Sequence, residues 1–255
     1  MKLATWNVNS LKVRLPQVLD WLQAQQPDAL CLQETKLIDE NFPQNEIAEV
    51  GYQSVYIGQK TYNGVAILSK QKGHAVLAAI PGFEDEQKRV IAATFGELRI
   101  INVYVPNGET VGSEKYDYKL RWLSALAQWL CDELKTYPKL AILGDFNIAP
   151  DDRDVYDSKL WEDKVLCSQP ERDAFNKLLK LGLSDSFRLF DQPEKIYSWW
   201  DYRMMAFRRN RGLRIDHILL SKELADICTA CRIDKAVRKL ERPSDHAPVV
   251  VELSI

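Results

Sequence analysis

Six short segments of the sequence place acidic, amide or imidazole side chains beside the ends of apolar runs. They are residues 5–9 (TWNVN), 32–36 (LQETK), 102–107 (NVYVPN), 144–147 (GDFN), 214–217 (RIDH) and 244–248 (SDHAP). Functional groups gather on loops held by a rigid scaffold, so a site is expected at strand ends. Each segment alone has an ordinary explanation, because Asn7 or Asp145 suits a turn or a cap. Only their joint occurrence indicates a site.

The side chains of these segments suit metal-assisted hydrolysis. Most of their donors are oxygens, which favour Mg²⁺ or Mn²⁺ over zinc. Mg²⁺ keeps several waters, so one or two carboxylates are enough to hold it. A hard cation assists attack on an anionic ester because it polarises the ester and stabilises the leaving oxygen. A carboxylate within reach of the attacking water then accepts its proton.

A run of arginines interleaved with aromatic residues forms a second feature. It comprises Trp199, Trp200, Tyr202, Arg203, Phe207, Arg208, Arg209, Arg211 and Arg214, and residues 202–215 contain no acid. Charge runs are usually solvated loops, which is the alternative explanation here. Arginine also binds phosphates without reading base sequence. The interleaved aromatic residues favour contact with a nucleic acid.

Short apolar runs alternate with helical patterns along the whole chain. Strands are predicted over residues 3–6, 29–33, 64–69, 89–94, 100–105, 140–143, 215–221 and 248–253. Helices are predicted around residues 15–22 and over 116–134 and 175–181, with Gly182 ending the last one. No linker-like stretch divides the chain, so we expect one domain over residues 1–255. Mixed strands and helices predict an α/β or α+β fold, and periodicity goes no further.

Composition excludes several classes of protein. The formal net charge is −2, so no global basicity indicates nucleic acid as the partner. No apolar run approaches a membrane span and the N-terminus lacks an apolar signal region, so we expect a cytoplasmic protein without membrane contact. The five cysteines are an odd number, which argues against a disulfide framework. Cys228 and Cys231 lack the two further ligands that a zinc site needs.

Taken together, the segments resemble the exonuclease III family of the endonuclease/exonuclease/phosphatase superfamily, from Asn7 to His246. The most specific pieces are LQETK at 32–36, GDFNIAP at 144–150 and SDHAP at 244–248. The stretch 197–216 (YSWWDYRMMAFRRNRGLRID) resembles the DNA-repair branch. The resemblance implies an α/β fold: a four-layer α-β-β-α sandwich with two mixed sheets packed face to face. The site is then expected at one end of that sandwich.

The resemblance also implies roles for individual residues. Glu34 is expected to hold Mg²⁺ (or Mn²⁺), with Asn7 and Asp245 assisting directly or through water. Asp145 is expected to be the general base, and Asn147 to orient the water or hold the phosphate. His246 is expected to contact the phosphate while Asp216 orients its imidazole. Tyr104 and Asn107 are expected to add phosphate contacts.

Contacts to DNA are expected on a separate set of residues. The cationic candidates are Arg203, Arg208, Arg209 and Arg211, with Lys36, Lys60 and Arg14 as further candidates. Trp199 and Leu213 are expected to wall the pocket for a sugar extruded from the stack. Trp200 fits a core position as well as a pocket position. His217 follows Asp216 in a strand and points to the opposite face, and His74 is expected in a solvated loop.

Three functions are compatible with these features. The favoured one is a monomeric DNA-repair phosphodiesterase that cuts at abasic sites, removes 3′-terminal nucleotides and blocking groups, or both. A hydrolase of a non-DNA phosphoester is disfavoured by the arginine-rich aromatic loop. A DNA-binding protein without catalysis is disfavoured because so many acidic groups converge. Leu166 is expected at the rim of the site. A bulky side chain there would block a continuing strand and so select 3′ ends. We nevertheless favour an enzyme with both activities.

Overall fold

The structure, a computed structural model, describes residues 1–254 and contains twelve strands and six α-helices within them. The strands are β1 (Lys2–Asn7), β2 (Ala29–Gln33), β3 (Gln53–Ile57), β4 (Val65–Ser69), β5 (His74–Leu77), β6 (Val90–Phe95), β7 (Leu98–Tyr104), β8 (Leu140–Asp145), β9 (Ser184–Asp185), β10 (Asp216–Leu220), β11 (Cys228–Ile233) and β12 (Val249–Leu253). The helices are α1 (Leu11–Gln25), α2 (Gln44–Glu49), α3 (Glu114–Thr136), α4 (Ser158–Trp161), α5 (Gln169–Lys180) and α6 (Lys222–Ala225).

The strands form two six-stranded sheets. One has the order β11-β12-β1-β2-β4-β3 and the other β5-β6-β7-β8-β10-β9. Each sheet is mixed, because β1 and β2 are parallel in the first sheet and β7 and β8 are parallel in the second. The first and last strands pair at the centre of the first sheet, and the Met1 amino group donates to the Leu253 carbonyl at 2.7 Å.

Alternating side chains of each strand bury two separate faces. Leu3, Ile67, Leu143 and Ile218 belong to the core between the sheets. The outer face of the first sheet packs against α1 through residues such as Val18, and the outer face of the second packs against α3 and α5. Apolar side chains on both faces explain why these strands appear in the sequence as continuous apolar runs. The four-layer α-β-β-α sandwich is confirmed.

Differences from the expected elements occur where burial is incomplete. Strands β3, β5 and β11 escaped prediction because they are edge strands with many half-buried or exposed residues. His74 therefore lies in an edge strand and not in a loop, although its side chain is exposed as expected. Helix α5 begins at Gln169, well before the predicted 175, because Ser168 and Glu171 form a capping box. Gly182, at φ +101°, follows the end of that helix.

None of the helices within residues 1–254 combines the length and apolarity that a membrane crossing requires.

Candidate active site

The six polar segments meet at one end of the sandwich. Asn7, Tyr104 and Asp145 are the last residues of β1, β7 and β8, and Glu34 directly follows β2. Strand β10 begins at Asp216, which pairs in register with Asp145. Gly144 allows the close pairing of β8 with β7, because a Cβ there would lie 1.9 Å from the Val103 carbonyl oxygen. Parallel pairing of β1 with β2 and of β7 with β8 therefore brings the polar strand ends to the same edge.

Glu34, Asp145 and His246 form the centre of the site. One ligand atom from each lies within 4.8 Å of the others, and no second group of this kind occurs among residues 1–254. Asn7 links the two carboxylates, since its Nδ2 donates to Glu34 Oε1 and to Asp145 Oδ2, both at 2.9 Å. Two carboxylates and one imidazole, rich in oxygen, fit a divalent cation.

Asn7 and Asp245 are both fixed by hydrogen bonds to Asn9. The side-chain Oδ1 of Asn7 accepts the Asn9 N–H at 3.0 Å, and its NH₂ group faces the carboxylates. Asp245 accepts from Asn9 Nδ2 at 3.0 Å and from Trp199 Nε1 at 3.1 Å. Burial opposes ionisation of Asp245, but His246 and these two hydrogen bonds hold its pKa below the usual value. Both residues therefore border the centre and arrange its charges.

His246 is held between two aspartates. Its Nδ1 lies 2.9 Å from Asp216 Oδ2, and its Nε2 lies 3.8 Å from Asp145 Oδ2. Burial opposes protonation, yet Asp216 and Asp145 outweigh it and raise the pKa of the imidazole. Burial raises the pKa of Asp145, with Asp216 adding to it and His246 opposing. The pair is thus arranged to hold and exchange a proton inside the site.

Asn147, Asn107 and Tyr104 line the same opening. Asn147 adopts a left-handed backbone, with φ +50°, and its N–H donates to Asp145 Oδ1 at 2.9 Å. Asn107 Nδ2 donates to Asn147 Oδ1 at 3.2 Å. Burial, together with the charges of Glu34 and Asp145, raises the pKa of Tyr104. The Tyr104 phenol is therefore neutral near pH 7 and can donate a hydrogen bond to an anion.

An apolar cluster adjoins the catalytic centre. Trp199 pairs through its backbone with Leu213 and with His246. The residue expected to wall the pocket is therefore joined directly to the backbone of the residue that carries the imidazole. Leu213 has no exposed surface and packs in the same cluster as the half-buried Trp199. Leu166, expected at the rim, is only 4% exposed and belongs to this cluster as well. Leu166 occupies a left-handed turn, at φ +76°, and its side chain packs inward, while its expected role in blocking a continuing strand stays a prediction.

The arginine-rich loop divides into surface and core residues. Arg203, Arg208, Arg209 and Arg211 are exposed, and none forms an ion pair with the rest of residues 1–254. Arg214 is instead buried, with ion pairs to Asp154 at 2.6 Å and to Asp185 at 2.8 Å. Four arginines of the run are therefore exposed and unpaired within residues 1–254, and the fifth is structural.

Trp200 and His217 both belong to the interior. Trp200 is fully buried and meets Phe207 edge-on, with ring centroids 5.0 Å apart, which settles its position in favour of the core. His217 lies 2.9 Å from the Ile148 carbonyl oxygen and 3.0 Å from Arg214. Burial and the nearby guanidinium lower the pKa of His217 to about 4. It points away from Asp216 and takes no part in the site, as its strand position predicted.

Asn9 and Lys119 belong to the site although neither was among the expected residues. Lys36 Nζ donates to Asn9 Oδ1 at 2.6 Å, so Asn9 connects Lys36 with Asp245. Its signal was present, because Asn9 follows Asn7 on the same polar segment. Lys119 donates to the Asn147 carbonyl from the second turn of α3, where a lysine ordinarily indicates a solvated face.

Comparisons with known proteins agree with this geometry. The family model described as "Endonuclease/Exonuclease/phosphatase family" matches residues 4–246. A relative named exodeoxyribonuclease III, from Haemophilus influenzae, is 40% identical over 99% of each chain. The structure of the 3′ phosphatase NExo from Neisseria, bound to a product DNA hairpin, has a TM-score of 0.98 with 49% identity and full coverage of both chains. An AP endonuclease from Archaeoglobus fulgidus has a TM-score of 0.96 with 37% identity, again over both full chains. The chain therefore belongs to the endonuclease/exonuclease/phosphatase family, in its exonuclease III and AP endonuclease branch.

Proposed function

We propose that this chain is a metal-dependent DNA-repair phosphodiesterase that hydrolyses the backbone at abasic sites and removes nucleotides or blocking groups from 3′ ends. The observation that carries the proposal is the Glu34, Asp145 and His246 cluster, whose ligand atoms lie within 4.8 Å of one another. The same chain has four exposed, unpaired arginines in one loop. The names of the relatives support it, since they include an exodeoxyribonuclease III, a 3′ phosphatase and an AP endonuclease.

Glu34 is the residue we assign to hold Mg²⁺ (or Mn²⁺), with Asp145 beside it and Asp245 reaching the ion through water. Asn7 keeps the two carboxylates in place through its NH₂ group. When bound, the ion offsets the negative charge of the phosphate and stabilises the leaving oxygen. Two carboxylates that share one amide donor suit such a cation, because the amide alone only partly relieves the repulsion between them.

Proton transfer and phosphate binding are assigned to the remaining residues. Asp145 accepts the proton of the attacking water, and Asn147 orients that water or holds the phosphate. His246, oriented by Asp216 and charged, donates to a phosphate oxygen as negative charge develops there. Tyr104 and Asn107 supply further donors at the same opening.

The exposed arginines and the apolar cluster give the substrate its place. Arg203, Arg208, Arg209 and Arg211 neutralise backbone phosphates without reading base sequence. Trp199 forms the wall against an extruded sugar, with Leu213 behind it. This arrangement favours DNA over a small phosphoester, because a small substrate would not require a row of unpaired cations outside the centre.

A narrower function is favoured by one observation. Leu166 packs into the apolar cluster beside Trp199, which reduces the room for a baseless sugar within a continuing strand. A 3′ terminus needs less room, so a 3′-end-specific exonuclease or 3′-phosphatase is the second candidate. We retain the dual activity as the main proposal, because Trp199 and the arginine loop form a surface that reaches beyond the centre.

Two duplexes test the proposal directly, one with an internal abasic site and one with a 3′-phosphate. Each is incubated with the protein and with Mg²⁺, Mn²⁺ or a chelator. We expect cleavage of both with either metal and neither with the chelator. Cleavage of the 3′-phosphate duplex alone would favour the second candidate, and no cleavage of either would refute both.

We also propose that residues 1–255 act as one monomeric catalytic unit in the cytoplasm. One core between the two sheets takes residues from strands along the whole chain. All five cysteines are free, which suits a reducing compartment. Sedimentation of the purified protein tests the monomer, since a dimer would double the apparent mass.

A further inference from the structure

A fully buried ion pair lies behind the site. Lys119, in the second turn of α3, pairs with Glu171 in the first turn of α5, and neither side chain has any exposed surface. Neither residue touches the Glu34, Asp145 and His246 cluster directly. The pair instead contacts the backbone of the loops that carry Asn107 and Asn147, whose side-chain amides are assigned to the phosphate and the water.

All three N–H donors of the Lys119 ammonium group form hydrogen bonds to these loops or to Glu171. Its Nζ donates to the carbonyl oxygen of Asn147 at 2.6 Å and to that of Asn107 at 3.1 Å, in addition to Glu171. An ammonium group has three donors, so none is left over. The two asparagines whose backbones it joins are the two whose side chains meet at 3.2 Å in the opening.

Glu171 extends the connection to the apolar wall. Its Oε1 accepts the N–H of Leu166 at 3.0 Å, and its Oε2 accepts the N–H and the hydroxyl of Ser168 at 3.1 and 2.5 Å. Leu166 in turn accepts the N–H of Ala149 at 2.7 Å. One carboxylate thus fixes Lys119 and the turn that packs Leu166 into the apolar cluster.

Stability alone does not explain a pair in this position. Removing two charges from water costs several kcal/mol per ion, and well-packed apolar residues often replace buried pairs without loss. Burial lowers the pKa of Lys119 below its usual value even though Glu171 opposes that change. A methionine and a leucine would fill the space between α3 and α5, but they would leave both asparagine carbonyls without a donor.

We propose that Lys119 is a positioning residue for catalysis: it sets the placement of Asn107 and Asn147 relative to Asp145, and Glu171 holds its ammonium group there. The inference rests on the proposed phosphodiesterase function, because those two amides are assigned to the phosphate and the water. Displacements of about 1 Å in such groups can cost roughly a hundredfold in rate. Ground-state binding of DNA depends on the exposed arginines and does not require this alignment.

The test compares two neutralised ion pairs. Lys119→Met/Glu171→Gln removes both charges at the site while keeping side-chain length and one of the two acceptor oxygens of residue 171. Arg99→Met/Glu133→Gln is the matched control, because this buried pair, at 2.7 Å, involves the opposite end of strand β7. Turnover is measured on both duplexes, together with DNA affinity and the urea midpoint of unfolding.

We expect kcat of Lys119→Met/Glu171→Gln to fall at least about tenfold, with KM and DNA affinity within about threefold of the unmodified chain. The control is expected to keep kcat within about threefold, whatever its urea midpoint. Lys119→Arg retains a cationic donor and is expected to lie closer to the unmodified chain than the neutral variant does.

A folded neutral variant with kcat within about threefold of the unmodified chain overturns the positioning role. So does a loss carried entirely by KM, or an equal loss of kcat in the control. If the methionine variant does not fold, Lys119→Gln/Glu171→Gln replaces it, because its shorter amide pairs with Gln but does not span both carbonyls. Absence of cleavage by the unmodified chain would instead refute the proposed function itself.

Discussion

Removal of two exposed arginines, as Arg208→Ala/Arg209→Ala, is the sharpest test of how this chain binds DNA. Both side chains are exposed and free of ion pairs within residues 1–254, so their loss breaks no contact of the fold. Exposed substitutions of this kind usually change stability by no more than about 0.5 kcal/mol. Any change in DNA affinity therefore reports on the loop and not on unfolding.

The size of the effect follows from counterion release. Each phosphate neutralised contributes about 0.9 to the slope of log affinity against log salt. Two lost contacts reduce that slope by up to about 1.8. Between 50 and 200 mM salt, the base-10 logarithm of the salt concentration rises by about 0.6. Over this range the DNA affinity of the variant is expected to fall by a factor about ten times smaller than that of the unmodified chain.

Fluorescence anisotropy with a labelled duplex over that salt range measures the slope, in Ca²⁺ or chelator so that cleavage does not interfere. Lys135→Ala/Lys139→Ala is the control, because both lysines lie at the far end of the sandwich in ion pairs with Asp132 and Glu97. Each variant moves the formal net charge from −2 to −4, since two cations are removed from each. An unchanged slope in the arginine variant, or an equal change in the control, would show that the loop is a solvated surface that does not bind DNA.

Three further substitutions test the centre and the wall. Glu34→Ala is expected to weaken Mg²⁺ binding sharply while the fold is kept; calorimetry would exclude Glu34 if metal affinity and the metal dependence of the rate did not change. Asp145→Asn keeps the shape but loses the proton acceptor, so cleavage should fall by roughly 10² or more while DNA still binds; near-normal turnover would move the base to His246. Leu166→Gly suits the φ of +76° and opens the apolar cluster. If the unmodified chain has both activities, abasic-site incision by Leu166→Gly should stay within about threefold of its rate. A selective rise in incision would instead identify the unmodified chain as a 3′-end specialist.

The sequence indicated the buried strands more clearly than the edge strands. The buried strands were visible because both of their faces are apolar, while the half-exposed edge strands β3, β5 and β11 left no comparable signal. Division of the strands into two sheets came from the resemblance, because periodicity reports on local burial and not on which strand pairs with which. Polar groups at strand ends were recoverable, since the strand ends themselves bring them together.

Other parts of the site could not be predicted for physical reasons. Lys119 is part of a helix whose pattern marks lysine as solvated, and only the packing of α5 against α3 makes it a buried donor. Leu166 was expected at the rim, but its position in the chain does not indicate how deeply its side chain packs. Its inward packing depends on a left-handed turn that Glu171 holds from five residues away.

The pairing of the first strand with the last has a consequence for synthesis. Asn7, on β1, is synthesised well before His246, which precedes β12, and these strands are neighbours in the sheet. Contacts between such distant parts of a chain close late, because the intervening loop must first be ordered. A ribosome-bound chain that lacks residues 244–253 holds neither the imidazole nor one partner of its central strand. The growing polypeptide therefore lacks the complete cluster of Glu34, Asp145 and His246 until residues 244–253 have been made and β12 has paired.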